Sequence, residues 1–172
     1  KHYCRVHRGS EQDVLGRFVC ATTRIETKNG VKYAVPRCDN LVRITADCHF
    51  TDQQMIDEMI RAFNSRLGLE YMSNCHPGRT VPAGFDVEIM KVRALIKAHL
   101  ETQNPYDREH VTPYLYTSGK FPLGTWSPDC PAPLEPAYTV DTPEDYERLR
   151  PIFEALYASN PRFDFEAATK CR

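Results

Sequence analysis

An α/β fold, an open and mostly parallel sheet with flanking helices, is what the sequence predicts, and three observations predict it. Short β-rich runs alternate with segments of helical apolar periodicity. Helix-capping signals follow two of the β-rich runs, at Thr51 and Thr142. Those two runs end in aspartate, Asp47 and Asp141, where the strands of such sheets open onto a ligand crevice.

Each element has its own reason. Ser10 to Thr23 reads as a helix, with Ser10 and Asp13 as a capping box and Val14, Leu15, Phe18 and Val19 as its apolar stripe. Asn29-Gly30 is a hairpin-turn signal within a polar stretch, Arg24 to Asp39. Leu41 to Thr45 is β-rich and leads to Asp47. Thr51 caps a helix whose buried face is Met55, Ile56, Met59, Ile60 and Phe63. Glu70 to Ser73 reads as a short strand, and His76 to Gly84, with its prolines and glycines, as a loop. Phe85 to Met90 alternates apolar and acidic residues, the pattern of a half-buried strand. Val92, Leu95, Ile96 and Leu100 continue as an amphipathic helix, and Asp107 to Tyr116 reads as helical despite Pro113. Phe121 to Pro136, rich in proline, is an extended connection. Tyr138 to Val140 is a strand candidate before Asp141. Thr142 and Pro143 then open a helix in which Pro151 predicts a kink.

The chain has 172 residues, the size of one domain with a single core, and residues 1–172 are read as one unit. Its formal net charge of -1 gives no long-range attraction to nucleic acid or to an anionic membrane. No apolar run is long enough to span a bilayer, and Lys1-His2-Tyr3-Cys4 is not followed by the apolar region of a signal peptide. The seven cysteines are scattered, without a C-x-x-C pair, which reads as free thiols in a reducing, cytoplasmic setting rather than a zinc site.

Carboxylates from two strand ends can share one Mg2+, with water and substrate phosphates completing its shell. Such an ion neutralises a nucleoside triphosphate during phosphoryl or nucleotidyl transfer. On spacing alone the plainer reading of Asp47 and Asp141 is as helix-cap residues, Asp141 especially, because it stands one residue before Thr142 and acidic residues are common at such turns.

Five segments resemble, in order, the motifs of one family: the cytidylyltransferases of the spore-coat polysaccharide type, relatives of the CMP-deoxy-manno-octulosonate synthetases. They are Arg8-Gly9-Ser10-Glu11-Gln12-Asp13-Val14-Leu15, Arg43-Ile44-Thr45-Ala46-Asp47-Cys48, Gly84-Phe85-Asp86-Val87-Glu88, Asp107-Arg108-Glu109-His110-Val111-Thr112-Pro113-Tyr114, and Thr139-Val140-Asp141-Thr142-Pro143-Glu144-Asp145-Tyr146. The resemblance implies a nucleotidyltransferase fold, Rossmann-like and GT-A-like, with CTP as donor, Mg2+ as cofactor and a small sugar-type acceptor. Asp47 and Asp141 match the metal-binding aspartates, and Arg108 joins them as a catalytic candidate. Arg8, Ser10, Asp13 and Arg17, with Asp47, are the nucleotide-binding candidates, since a helix N-terminus favours anions; helix capping is the plainer reading of Ser10 and Asp13. Asn74, Arg79, Asp86, Glu88, Arg108 and His110 are the substrate-binding candidates. Asp86 and Glu88 share one strand face, which is equally a solvated face.

The family's N-terminal strand and basic, glycine-containing phosphate loop have no counterpart here. The resemblance therefore implies a chain that lacks them, or a separate N-terminal piece of the same protein as partner. His49 replaces the family's proline, and Arg24 to Asp39 is an insertion. The expected activity is transfer of CMP to a sugar, sugar acid or sugar phosphate for surface polysaccharide synthesis. A catalytically inactive nucleotide-binding or scaffold homologue is the alternative, and a metal-using glycosyltransferase the third reading, without its D-x-D motif at Asp47. A homodimer is left open.

Overall fold

The computed structural model describes residues 4–130 and 132–170. The chain divides into two compact units: residues 1–41 with 90–122, and residues 42–89 with 123–172.

In the first unit, α1 spans Val14–Thr22 and packs on α3 (Val92–Glu101) and α4 (Pro105–His110). The apolar spacing explains the packing: Leu15 and Val19 on α1 and Leu95 and Ala98 on α3 are buried. The first helix starts four residues later than the sequence suggests, because Asp13 itself is the N-cap and accepts from Gly16 N–H at 2.9 Å. Ser10 Oγ instead accepts from the N–H groups of Gln12 and Asp13 in the turn before it. The expected single helix over 107–116 is broken into α4 and α5 (Pro113–Thr117). Between them Val111 has φ 75°, and Pro113 supplies no N–H to continue the first helix.

Between the helix and the Asp47 segment stands an antiparallel ribbon, β1 (Thr23–Lys28) and β2 (Val31–Pro36). Asn29 and Gly30 have φ 52° and 77°, the paired positive values of a two-residue hairpin loop, which asparagine and glycine tolerate.

The second unit holds the main apolar core and most of a four-stranded sheet in the order β3 (Asn40–Arg43), β5 (Glu88–Lys91), β4 (Tyr71–Ser73), β6 (Leu123–Thr125). The chain passes between the units within β3, after Leu41, and within β5, after Ile89. Strands β4 and β6 are parallel. The last of these lies inside the proline-rich connection that the sequence leaves extended. Helix α2 (Gln53–Ser65) buries Met55, Met59 and Phe63, and its N-cap is Asp52 rather than Thr51. Helix α6 (Pro143–Ser159) begins with a complete capping box between Thr142 and Asp145 and runs on through Pro151; α7 (Phe165–Lys170) packs on it. Phe50, Phe85 and Tyr138 meet edge-on or tilted at 5.1–6.2 Å.

Two expectations are corrected here. Tyr138 to Val140 is not a regular strand: Tyr138 N–H donates to Ala83 O at 2.6 Å and Val140 N–H to Asp47 O at 3.2 Å, so the segment bridges two places instead of pairing along one neighbour. Segment 85–90 has no solvated face: Glu88 is 3% exposed, and apart from half-buried Asp86 all its residues are buried.

Candidate active site

Asp47 owes its position to the turn that follows β3. Cys48 N–H donates to Thr45 O at 3.2 Å, and the Thr45 hydroxyl lies 3.2 Å from Cys48 Sγ. The turn is tied to the approach to α2 by the Thr51 hydroxyl, which donates to Cys48 O at 2.8 Å. Burial pushes the Cys48 thiol up, with the Asp47 charge acting the same way, so it stays protonated.

Asp141 arrives from the other direction. The hydrogen bond from Val140 N–H to Asp47 O fixes the segment before α6 against the turn after β3. Standard backbone dimensions then keep the α-carbons of Asp47 and Asp141 within about 10 Å of each other. His49 Nδ1 lies 3.3 Å from the same Asp47 carbonyl. The approach also depends on Gly84, whose φ is 102°; a Cβ there would sit 2.4 Å from the Tyr138 carbonyl carbon. Only glycine lets that backbone pass so close.

Neither the Asp47 nor the Asp141 carboxylate has a hydrogen-bond or ion-pair partner among the described residues, and Asp141 is exposed. The neighbouring acid, Asp145, is occupied. It closes the capping box on Thr142 and pairs with Arg148 at 3.0 Å, and these contacts hold its carboxyl below the usual range. A cavity of about 370 Å³ is walled by His49, Phe50, Val140 and, from α6, Tyr146, Leu149 and Phe153 with the charged Arg150 and Glu154; neither aspartate lines it. Sequence reasoning singles out His49 only as a replaced proline. The rest of the cavity comes from how α6 packs, which no local pattern reveals.

The other candidates of this unit have partners of their own. Arg79 grips Asp86 with both terminal nitrogens, at 2.6 and 2.9 Å. Glu88 accepts from the Tyr71 hydroxyl at 2.6 Å and pairs with Arg43. Burial and the adjacent Glu88 charge push the Tyr71 hydroxyl up, so it remains a donor. Asn74 is fully buried: its Oδ1 accepts from Val87 N–H at 2.9 Å and its amide donates to Phe85 O at 2.8 Å. The structure thus gives Glu88 and Asn74 interior partners instead of an open face toward substrate.

In the first unit, Arg108 donates to His99 Nδ1 at 2.6 Å and lies 3.7 Å from Asp13. Burial, then the Arg108 charge, lower His99, which keeps Nδ1 free to accept. His110 is exposed, with its ring 4.3 Å from that of Tyr106. Arg8 and Ser10 are exposed; Arg17 is half-buried, with its side chain folded over Gly9.

Among the described residues no three His, Cys, Asp or Glu side chains cluster as a metal site. Two unpartnered carboxylates on backbones tethered to each other are nonetheless hard oxygen donors of the kind Mg2+ takes, since it retains several waters and one or two protein carboxylates beside substrate phosphates. Among the described residues no helix is long and apolar enough to cross a membrane.

No family model matches the chain. It is 30% identical over 154 residues to the spore coat polysaccharide biosynthesis protein SpsF of Bacillus subtilis (strain 168), covering 87% of this chain and 57% of that protein. It is 34% identical over 111 residues to the uncharacterized protein MJ1063 of Methanocaldococcus jannaschii, covering 64% of this chain and 39% of that one. The chain therefore spans about half the length of the curated relatives it matches. A solved cytidylyltransferase from Leptospira borgpetersenii serovar Hardjo-bovis superposes with TM-score 0.76 at 28% identity, covering 95% of this chain and 63% of that chain. Mixed strands and helices, an open sheet and this superposition give the chain a nucleotidyltransferase fold.

Proposed function

We propose, for a chain that belongs to the cytidylyltransferase family of the spore-coat polysaccharide type, a part in transferring CMP from CTP to a sugar, sugar acid or sugar phosphate for surface polysaccharide synthesis. An acceptor oxygen attacks the α-phosphorus in line. The bond to the pyrophosphate oxygen breaks, pyrophosphate leaves, and the acceptor's proton goes to solvent. Asp47 and Asp141 would hold Mg2+ between them. The ion, when bound, supplies charge neutralisation at the α-phosphate and the leaving group.

The observation that carries this reading is the hydrogen bond from Val140 to Asp47. It supports the reading by tying together the backbones that carry Asp47 and Asp141, residues far apart in the chain whose carboxylates have no partners among the described residues. The chain's own contribution is positional. The turn at Thr45–Cys48 and the capping box at Thr142 fix the backbones, so that little rearrangement remains when substrate arrives.

The test has two readouts on the protein carrying this chain. Mn2+ binding, followed by water-proton relaxation, should weaken at least tenfold in Asp47→Ala and in Asp141→Ala. Release of pyrophosphate from CTP with a panel of sugar acceptors should fall by about 100-fold or more in Asp47→Ala. Unchanged Mn2+ binding, or an Asp47→Ala protein as active as wild type, would refute the proposal.

A further inference from the structure

A cavity of about 200 Å³ lies where the first turns of α2, the segment after β6 and the start of α7 meet, and neither rim aspartate lines it. Its floor is apolar: Met55, Trp126 and Phe165 are all buried. Its walls are acidic, and among the described residues no Lys, Arg or His lines it.

Three of the wall acids are engaged by the fold. Asp52 accepts from Gln54 N–H at 2.7 Å and from Phe165 N–H at 2.9 Å. Asp164 accepts from Ala167 N–H at 2.7 Å, and Glu166 pairs with Lys170. The other two, Glu58 and Asp129, have no partner for their carboxylates among the described residues. Residues 42–89 and 123–172 carry sixteen acidic side chains against nine basic ones, so the field around this pair favours a cation. The acids do not converge on a point: among the described residues no three of them could hold a metal ion. Spaced carboxylates around an apolar floor fit a small molecule with an ammonium group instead.

Trp126 adds a second requirement. Its backbone is fixed, with N–H donating to Ser73 O at 3.0 Å and C=O accepting from the Thr80 hydroxyl at 2.7 Å. The residue is 9% exposed, yet its indole N–H has no acceptor among the described residues. Among those residues the one sealed side-chain polar atom without a partner is Arg43 Nε, so the indole N–H is not sealed, and the cavity is the space its ring borders. An indole nitrogen only donates, so it calls for an oxygen. A polyamine has no oxygen to offer, and a neutral sugar leaves the two acid charges unanswered.

We propose that this cavity binds a protonated amino sugar, whose ammonium group is held by Glu58 and Asp129 and one of whose hydroxyl oxygens accepts from the Trp126 indole N–H. The volume holds one sugar ring, and its remaining hydroxyls can donate to the acid walls. Neither Asp47 nor Asp141 takes part, so this site stands or falls apart from the metal rim.

Trp126 is the only tryptophan of the chain, so its fluorescence reports on this cavity directly. Glucosamine hydrochloride, titrated into the whole chain at matched ionic strength, should shift the emission with half-saturation at about 1 mM. Glucose and putrescine should each bind about tenfold more weakly or worse. Glu58→Gln and Asp129→Asn keep the shape and remove the charge; each should weaken glucosamine about threefold, and the two together about tenfold. Glu109→Gln, at an exposed acid outside the cavity, should change nothing. No emission shift up to about 20 mM glucosamine would overturn the proposal. So would glucose or putrescine binding as tightly as glucosamine, or an E58Q/D129N protein that binds it like wild type.

Discussion

Two pairs of acidic side chains in the second unit have opposite fates. Asp86 and Glu88 come from a β-rich segment with alternating pattern, and both are consumed: one by the forked guanidinium of Arg79, the other by Tyr71 and Arg43. Asp47 and Asp141 come from irregular backbone beside a sheet edge and a helix start, and among the described residues neither carboxylate is taken. The difference teaches where function can reside. A carboxylate in a packed segment needs partners, and those partners occupy it, whereas one on a tethered turn can be fixed through its backbone and still leave its oxygens available.

The sharpest way to break this comparison is to exchange the consequences. Glu88→Ala strands the Arg43 charge and removes the carboxylate that the buried Tyr71 hydroxyl bonds, and should cost about 3–5 kcal/mol in urea unfolding. Asp47→Ala and Asp141→Ala should stay within about 0.5 kcal/mol of wild type, as surface substitutions do. If the rim variants lose as much stability as Glu88→Ala, the distinction between the pairs is gone. Gly84→Ala comes next. It adds a Cβ into the Tyr138 backbone at a positive φ, and should cost at least about 2 kcal/mol. It should also weaken Mn2+ binding at the proposed Asp47 and Asp141 site, because the displaced segment at Tyr138 leads to Asp141; unchanged metal binding would separate Gly84 from the rim.

The smallest effect concerns the first unit, where His99 accepts from Arg108. Its folded pKa is depressed by burial and then by Arg108, so the folded state resists protonation more than the unfolded chain. Stability is therefore full above the ordinary histidine range. It falls as pH drops through about 6.5 toward the lower folded value, and levels off beneath it. Wild type should lose stability across that window by more than His99→Gln does; equal slopes would remove His99 as the source.

Much of this was readable in advance where the cause is local. Asn29-Gly30 sets its own backbone conformation, and Thr142 with Pro143 and Asp145 carries a whole helix start in four residues. Asp47 and Asp141 read as strand ends, yet no strand precedes Asp141 and β3 stops at Arg43; a single backbone hydrogen bond between irregular segments joins them instead. The pairing of Glu88 was not legible, because alternation reports which face a side chain is on and nothing about Arg43 or Tyr71, contributed by other strands. Tyr138 to Val140 looked like a strand because its residues favour extended backbone, but its partners Ala83 and Asp47 belong to different segments. Val111, a β-branched residue at φ 75°, ends α4 against its own preference, and the following proline is the only local hint.

The single amide of Val140 offers one more use. Its proton is held by Asp47 and belongs to no helix or regular strand, so its exchange with deuterated water times the parting of the two rim segments and little else. Read with and without a divalent cation, that one exchange rate becomes a clock for how long the two arms of the rim stay closed.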